Sequence, residues 1–293
     1  GLGIQPLDNI GKVKSQGLDF SGKIQHAFSP DLWVILNGTL TYNKAVFEEI
    51  EEAADKPYYQ WRKGHDISQA VGYIAEGLFR DEQEIANSPV QGGDLMPGDI
   101  RYRDVNDDGV VDVEDAVHIG FPTTPRLIYG FNGFVNYKGL EFSFAFQGSG
   151  QRGFFINPAA MSPFANNHAL LTAIYKDHWS TDNMSERPLW PRLSTKNIIE
   201  HNPQEDASSD KETRMSTYFL RECRFLRCTS LELAYNLPKQ WSRKLALKNL
   251  KVFVRANNPF IISNFDLWDV ELGNNGFNYP IQKTYSVGLN VNF

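Results

Sequence analysis

Apolar and polar residues alternate along much of this chain, and the alternation is clearest where the apolar residues are largest. In residues 140–147, Leu140, Phe142, Phe144 and Phe146 alternate with Glu141, Ser143, Ala145 and Gln147. In residues 284–293, Tyr285, Val287, Leu289, Val291 and Phe293 alternate with Thr284, Ser286, Gly288, Asn290 and Asn292. A period of two puts each set on its own face of a β-strand. Residues 17–28 set Leu18, Phe20 and Ile24 against Asp19, Ser21, Lys23 and Gln25. Residues 32–42 set Leu32, Val34, Leu36, Leu40 and Tyr42 against Ile35, Asn37, Thr39 and Thr41. In residues 126–137, Leu127, Tyr129, Phe131, Val135 and Tyr137 oppose Asn132 and Asn136. With 225–235 and 250–257 the pattern predicts seven strands.

The connections fall into two kinds. Ser29-Pro30-Asp31 and Lys138-Gly139 are tight turns, and 237–249 is a short basic link. Residues 45–125, 149–217 and 265–280 are long excursions. Strand-like pieces at 72–79 and 100–103 read as structure within the first of them, and 167–178 as a short helix capped by Asn166 or Asn167. A final strand closing on a terminal aromatic resembles bacterial outer-membrane barrels, whose last strand ends in the periplasm. Counting back from that end, every short turn falls on the periplasmic side and every long loop on the extracellular side. Greasy outer faces, polar inner faces and segregated loop lengths predict an all-β fold, a transmembrane antiparallel β-barrel with long extracellular loops. Trp33, Tyr137, Tyr235 and Trp241 stand at the short-turn ends, where an interfacial aromatic girdle belongs.

Composition changes this picture little. The 293 residues carry a net charge of −6, and no apolar run approaches the roughly 18 residues of a membrane helix. Barrel strands need only about 10 residues, half of them polar. Mild acidity without a basic block argues against a nucleic-acid partner. Cys223 and Cys228 lie five positions apart on a predicted strand, hence about 16 Å apart on opposite faces, and are read as free thiols. A closed bacterial barrel has an even number of strands, so seven strands need partners. The opening GLGIQPLDNIGKVKSQG reads as part of a longer protein.

Residues 104–115, DVNDDGVVDVED, carry the one metal-ligand pattern. Asp104, Asn106 and Asp108 occupy positions 1, 3 and 5 of an EF-hand-type loop, with Gly109 at the turn. Val110 supplies a backbone carbonyl at position 7, Asp112 stands at 9 and Asp115 at 12. Hard oxygen donors at alternate positions suit Ca2+ in a structural role. Asp in place of Glu at position 12 shortens the closing ligand, and Asn-Asp-Asp-Gly is also the chemistry of a solvated turn without metal. No catalytic constellation accompanies it. Gly148–Gly153 matches G-x-G-x-x-G, but Pro158 and Pro163 follow and no helix begins there. The histidines show no metal spacing, and Glu141 and Glu232 fall on lumen-facing phases. Phe154, Phe155, Phe164, Trp179, Trp190, Trp268, Phe277 and Tyr279 lie in the long loops, either folding them or stacking on sugars or a partner protein.

Residues 97–150, PGDIRYRDVNDDGVVDVEDAVHIGFPTTPRLIYGFNGFVNYKGLEFSFAFQGSG, resemble the C-terminal barrel region of SusC/RagA-like TonB-linked outer-membrane transporters. DHWSTDNMSERPLWPRL, FLRCTSLELAYNLPK with LKVFVRANNPF, and YPIQKTYSVGLNVNF follow in the family's order. Arg221–Arg224 and Ser180-Thr181 depart from its usual pattern. The resemblance covers essentially the whole chain. It implies a 22-stranded barrel in the outer membrane of a Gram-negative bacterium, with an N-terminal plug absent from this sequence and energy from the TonB complex. It also implies a SusD-like surface lipoprotein and import of oligosaccharides or peptides. The alternative reading is a soluble calcium-stabilised β-rich binding module of dockerin type, against which the single copy of the loop counts.

Overall fold

The structure, a computed structural model, describes residues 11–185, 187–206, 215–244, 246–274 and 276–292. Seven strands form one sheet: β1 (Lys12–Ser29), β2 (Leu32–Glu49), β3 (Leu127–Tyr137), β4 (Leu140–Phe155), β5 (Leu220–Asn236), β6 (Asn249–Ser263) and β7 (Thr284–Asn292). Their order in the sheet is their order in the chain, and every neighbouring pair is antiparallel. Phe293, the last residue of the predicted seventh strand, lies outside the described residues.

Short turns set the register at one end. Ser29 Oγ accepts from the Leu32 amide at 3.0 Å and closes the first hairpin. Lys138 and Gly139 both have positive φ, 48° and 85°, the pair of values a two-residue type I′ hairpin requires. Through the middle of the sheet, pairing then carries the predicted faces from strand to strand. Leu18, Tyr42 and Leu127 are in line, as are Phe20, Leu40 and Tyr129, and so are Tyr137, Leu140, Tyr235, Val252 and Leu289. At Thr229 a bulge inserts one residue into β5 between Cys228 and Ser230. The bulge reverses the strand's phase, so odd residues face the apolar side below it and even residues above. Gly133 lies under Phe144, whose ring carbon would stand 2.4 Å from a Cβ there. The missing side chain lets the aromatic cover the neighbouring strand.

The apolar face is bare. Phe20 is 60% exposed and Val287 76% exposed, and Leu18, Ile24, Leu233, Ile262 and Leu289 are exposed with them. Phe131 stacks on Phe146 at 4.8 Å between ring centres, and Phe144 stands 5.9 Å from Phe146, so the aromatics tile a continuous surface. No helix among the described residues is long and apolar enough to cross a membrane, which says nothing of a β-barrel.

Four expectations need correction. Trp33 pairs with Asn136 and packs on Phe134 at 4.8 Å, on the polar face. Its odd position puts it out of phase with Leu32 and Val34, so it cannot belong to an outer girdle. Tyr137 and Tyr235 do lie on the apolar face, half exposed, and Trp241 is exposed on a short helix, Lys239–Lys244. The helix expected over 167–178 spans only Thr172–Lys176, and no side chain caps it. Finally, β5 starts at Leu220 rather than at 225, and β6 runs on to Ser263 rather than 257, because backbone pairing continues past the alternating stretch.

The buried core lies in the long connections, not in the sheet. The expected short pieces form two-stranded sheets apart from the main one, Ala70–Gly72 with Val117–Ile119 and Ala75–Leu78 with Ile100–Tyr102. Against them pack residues from the other two long connections and from the upper ends of β4 and β5, including Ile156, Trp190, Tyr218, Phe219, Phe225 and Phe265.

Candidate functional site

The polar face of β4, β5 and β6 carries a ladder of charge. Lys251 stands between Glu141 at 2.6 Å and Glu232 at 3.5 Å, and Arg255 donates to Glu232 at 2.7 Å. Asn236 adds a hydrogen bond to Glu141 at 2.6 Å. Period-two alternation delivers Glu141, Glu232, Lys251 and Arg255 to one face, and register brings them together. On β1 to β3 the same face carries single hydrogen bonds, Asn37 to Asn132 at 2.8 Å and Thr41 to the Asp19 carboxylate at 3.1 Å. Above the bulge, Arg227 is paired with both Asp269 and Glu271, tying the third long loop to the sheet.

Two buried carboxyl groups fasten the other long loops together. Asp99, with no exposure, takes His201 Nδ1 at 2.6 Å and Asn202 Nδ2 at 3.2 Å and lies 2.9 Å from Arg192 Nε. Glu205, equally buried, accepts from Tyr102 Oη at 2.9 Å and from the Ser216 amide at 3.2 Å, with the Ser216 hydroxyl also against it. Burial raises its pKa to about 7, partly offset by the Ser216 and Tyr102 hydrogen bonds, which favour the charged form. The Tyr102 phenol is pushed well up, first by burial and then by the Glu205 charge. Burial likewise raises Tyr218, whose hydroxyl donates to the Pro188 carbonyl at 2.7 Å.

The acidic loop is folded by its own side chains. Asp104 Oδ2 accepts from the Gly109 amide at 2.7 Å, Asn106 Oδ1 from Asp108 at 3.0 Å, and Asp108 Oδ1 from Val110 at 2.8 Å. Asp112 and Asp115 cap a short 3-10 turn reciprocally, and buried Asp115 also holds the Val105 amide at 2.6 Å. The six residues singled out from the sequence are thus wound into one compact loop with positive φ at Asp107 and Gly109. Among the described residues no three His, Cys, Asp or Glu side chains are gathered closely enough to hold a metal ion. One oxygen stands apart: Asp104 Oδ1 is buried and has no hydrogen-bond partner.

No protein-family model matches the chain. A TonB-dependent receptor of Formosa agariphila, P26, is 28% identical over 251 residues, which is 78% of this chain and 23% of the relative. SusC of Bacteroides thetaiotaomicron, also a TonB-dependent receptor, is 24% identical over 310 residues, 99% of this chain and 27% of that protein. Among solved structures, the RagAB peptide transporter superposes with a TM-score of 0.66 at 19% identity, covering 97% of this chain and 30% of its own. The chain is similar to a portion of SusC-like TonB-dependent receptors. It spans about a quarter of the length of the curated relatives it matches. Those relatives are receptors rather than enzymes, in keeping with a sequence that offers no catalytic constellation.

In the loops above the sheet the aromatics divide. Phe154, Trp179 and Trp190 are buried, and Phe155 and Trp268 pack against the same core, so these fold the loops. Phe164, Phe277 and Tyr279 are exposed. Cys223 and Cys228 are both buried and free, on opposite faces of β5 as their spacing predicts. The Asp99 and Glu205 clusters carried no motif, since Asp99 meets its histidine 102 positions along the chain. Arg152, at the top of β4, was hidden in the same way. It falls inside the G-x-G-x-x-G stretch after which no helix begins, and its surroundings come from three separate connections.

Proposed function

We propose that this chain forms part of the wall of an outer-membrane importer. The remaining barrel strands and the plug would come from the rest of the same polypeptide. The observation that carries this reading is the seven-stranded meander with one bare apolar face and both edges, β1 and β7, unpaired within the sheet. Lipid satisfies the face, whereas unpaired edges in lipid cost several kcal/mol per backbone group, so further strands must flank both. The short-turn end faces the periplasm and the loop assembly faces outward. The polar face lines a wet interior, where the Glu141–Lys251–Glu232–Arg255 ladder stiffens the wall. SusC and RagAB support import driven through TonB beneath a SusD-like lipoprotein, with oligosaccharides or peptides as cargo.

The 104–115 loop is proposed to take Ca2+ or a similar hard cation that stiffens the outer assembly. All its donors are oxygens, and the unpartnered Asp104 Oδ1 is the group a cation would complete.

The test is composition. Extracted in mild detergent, the protein is expected as a polypeptide several times longer than 293 residues, together with a lipoprotein, in a form whose gel mobility changes only on boiling. A soluble species of 33.3 kDa would overturn the reading.

A further inference from the structure

Where the top of β4 meets the three long loops, the structure holds a cavity of about 600 Å3. Arg152 supplies its charge, since among the described residues no lysine and no carboxylate lines it. Arg152 Nε donates to the Thr123 carbonyl at 3.0 Å, which fixes the plane of the guanidinium. Residue 273 closes over it: a Cβ there would stand 3.8 Å from a terminal nitrogen of Arg152, and the chain passes with φ of +61° because the residue is glycine. Arg152 also lies against the buried Cys223 side chain at the top of β5.

Arg126, Arg227 and Arg255 are each ion-paired with a carboxylate. Among the described residues Arg152 has none within ion-pair distance, and Glu271, on the nearby loop, is committed to Arg227. A guanidinium held in one plane at the wall of a groove is preorganised for an anion, and its planar fork matches a carboxylate two bonds at a time. The rest of the lining is neutral, with the amides of Gln69, Asn157 and Asn274 and the apolar Phe155 and Met215.

The cavity does not stop at Asn274. It shares Asn157 and Asn274 with a second of about 150 Å3, which in turn shares Ala160, Met161 and Phe277 with a third of about 320 Å3. The three form one groove, cationic at Arg152, amide-lined in the middle and aromatic at Phe277, which is 60% exposed. Such a groove fits an elongated molecule with one acidic group and a neutral body.

We propose that this groove is a substrate subsite, in which a carboxylate of an oligomeric solute seats on Arg152 and its neutral body runs toward Phe277. The proposal rests on the import reading. Two kinds of cargo carry the required group, a peptide with a free C-terminus and an oligosaccharide containing a uronic acid.

The test uses the full-length transporter in detergent and calorimetric binding of four probes. These are trialanine and its C-terminal amide, and trigalacturonate and neutral maltotriose. One acidic probe is expected to bind at least roughly tenfold more tightly than its neutral counterpart, and which one identifies the source of the carboxylate. Arg152→Gln should abolish that preference. Asn274→Asp leaves the Arg152–Thr123 bond untouched and sets a negative charge in the groove, so it should weaken the same probe by roughly tenfold. Equal binding of acidic and neutral probes, no binding of either acid, or a preference that survives both substitutions would overturn the subsite. Boiling-dependent gel mobility is recorded on the same samples. A wild-type protein without it defeats the import reading, whereas one that has it but ignores Arg152 defeats only the subsite.

Discussion

Glu205 shows how much a single buried group can set. Its hydrogen-bond partners, Tyr102 and Ser216, are neutral, so neither brings a positive charge to an ionised carboxylate there. Its pKa is raised from the ordinary 4.5 to about 7, which means the folded loops hold its proton more tightly than the unfolded chain. The stability this proton supplies is fully present below pH 4.5 and is lost as pH rises to 7, after which it changes no further. A shift of that size corresponds to about 3 kcal/mol at most. Protection of the Tyr102 and Ser216 amides against hydrogen exchange, corrected for intrinsic rate, should therefore fall by roughly fiftyfold between pH 5 and pH 8. Glu205→Gln keeps a carbonyl for both hydroxyls and should flatten that dependence. A pH step that persists in the variant would assign it to another group.

At the scale of a strand, faces decide what a substitution does. Phe144 is mid-strand on the apolar face, and Ser143 beside it is on the polar face opposite Glu232. If the apolar face meets lipid, Phe144→Arg costs about 2–4 kcal/mol at the midplane, whereas Ser143→Lys costs little and gains a nearby carboxylate. Urea unfolding of the full-length protein in vesicles should show a large fall in midpoint for the first and almost none for the second; equal effects would mean both faces meet the same medium. These faces were legible because period two needs no tertiary knowledge. Even Trp33 was legible, since its phase already placed it with Ile35 rather than with Leu32. Strand ends were not, because residues such as 43–49 and 220–224 pair where neither face must be apolar, and alternation fades there. The Thr229 bulge was equally silent, as one inserted residue looks like any other until its neighbours are paired. The loop clusters around Asp99, Glu205 and Arg152 join residues from remote connections, and no spacing rule reaches that far.

Taken whole, the molecule is two structures of different kinds joined at the tops of the strands. The sheet leaves its apolar face bare among the described residues, whereas the loops bury a core of the ordinary soluble kind. The acidic loop belongs to the second. Gln60 donates to the Val113 and Glu114 carbonyls at 2.8 and 2.7 Å, and buried Val111 and Ala116 carry the loop into that core. A cation bound by Asp104 and its neighbours would therefore stiffen the outer assembly and leave the spanning strands indifferent. Ligand linkage gives the size: calcium at a hundred times its dissociation constant adds about 2.7 kcal/mol to whatever unit it binds. Removing it with a chelator should open the outer loops to protease by roughly a hundredfold while the boiling-dependent gel shift, a property of the barrel, stays in place. Adding calcium back should restore protection in the native protein but not in Asp104→Ala, where the unpartnered oxygen is gone. If protection is the same with and without calcium in the native protein, the loop is a self-satisfied turn, held by its aspartates on its own amides.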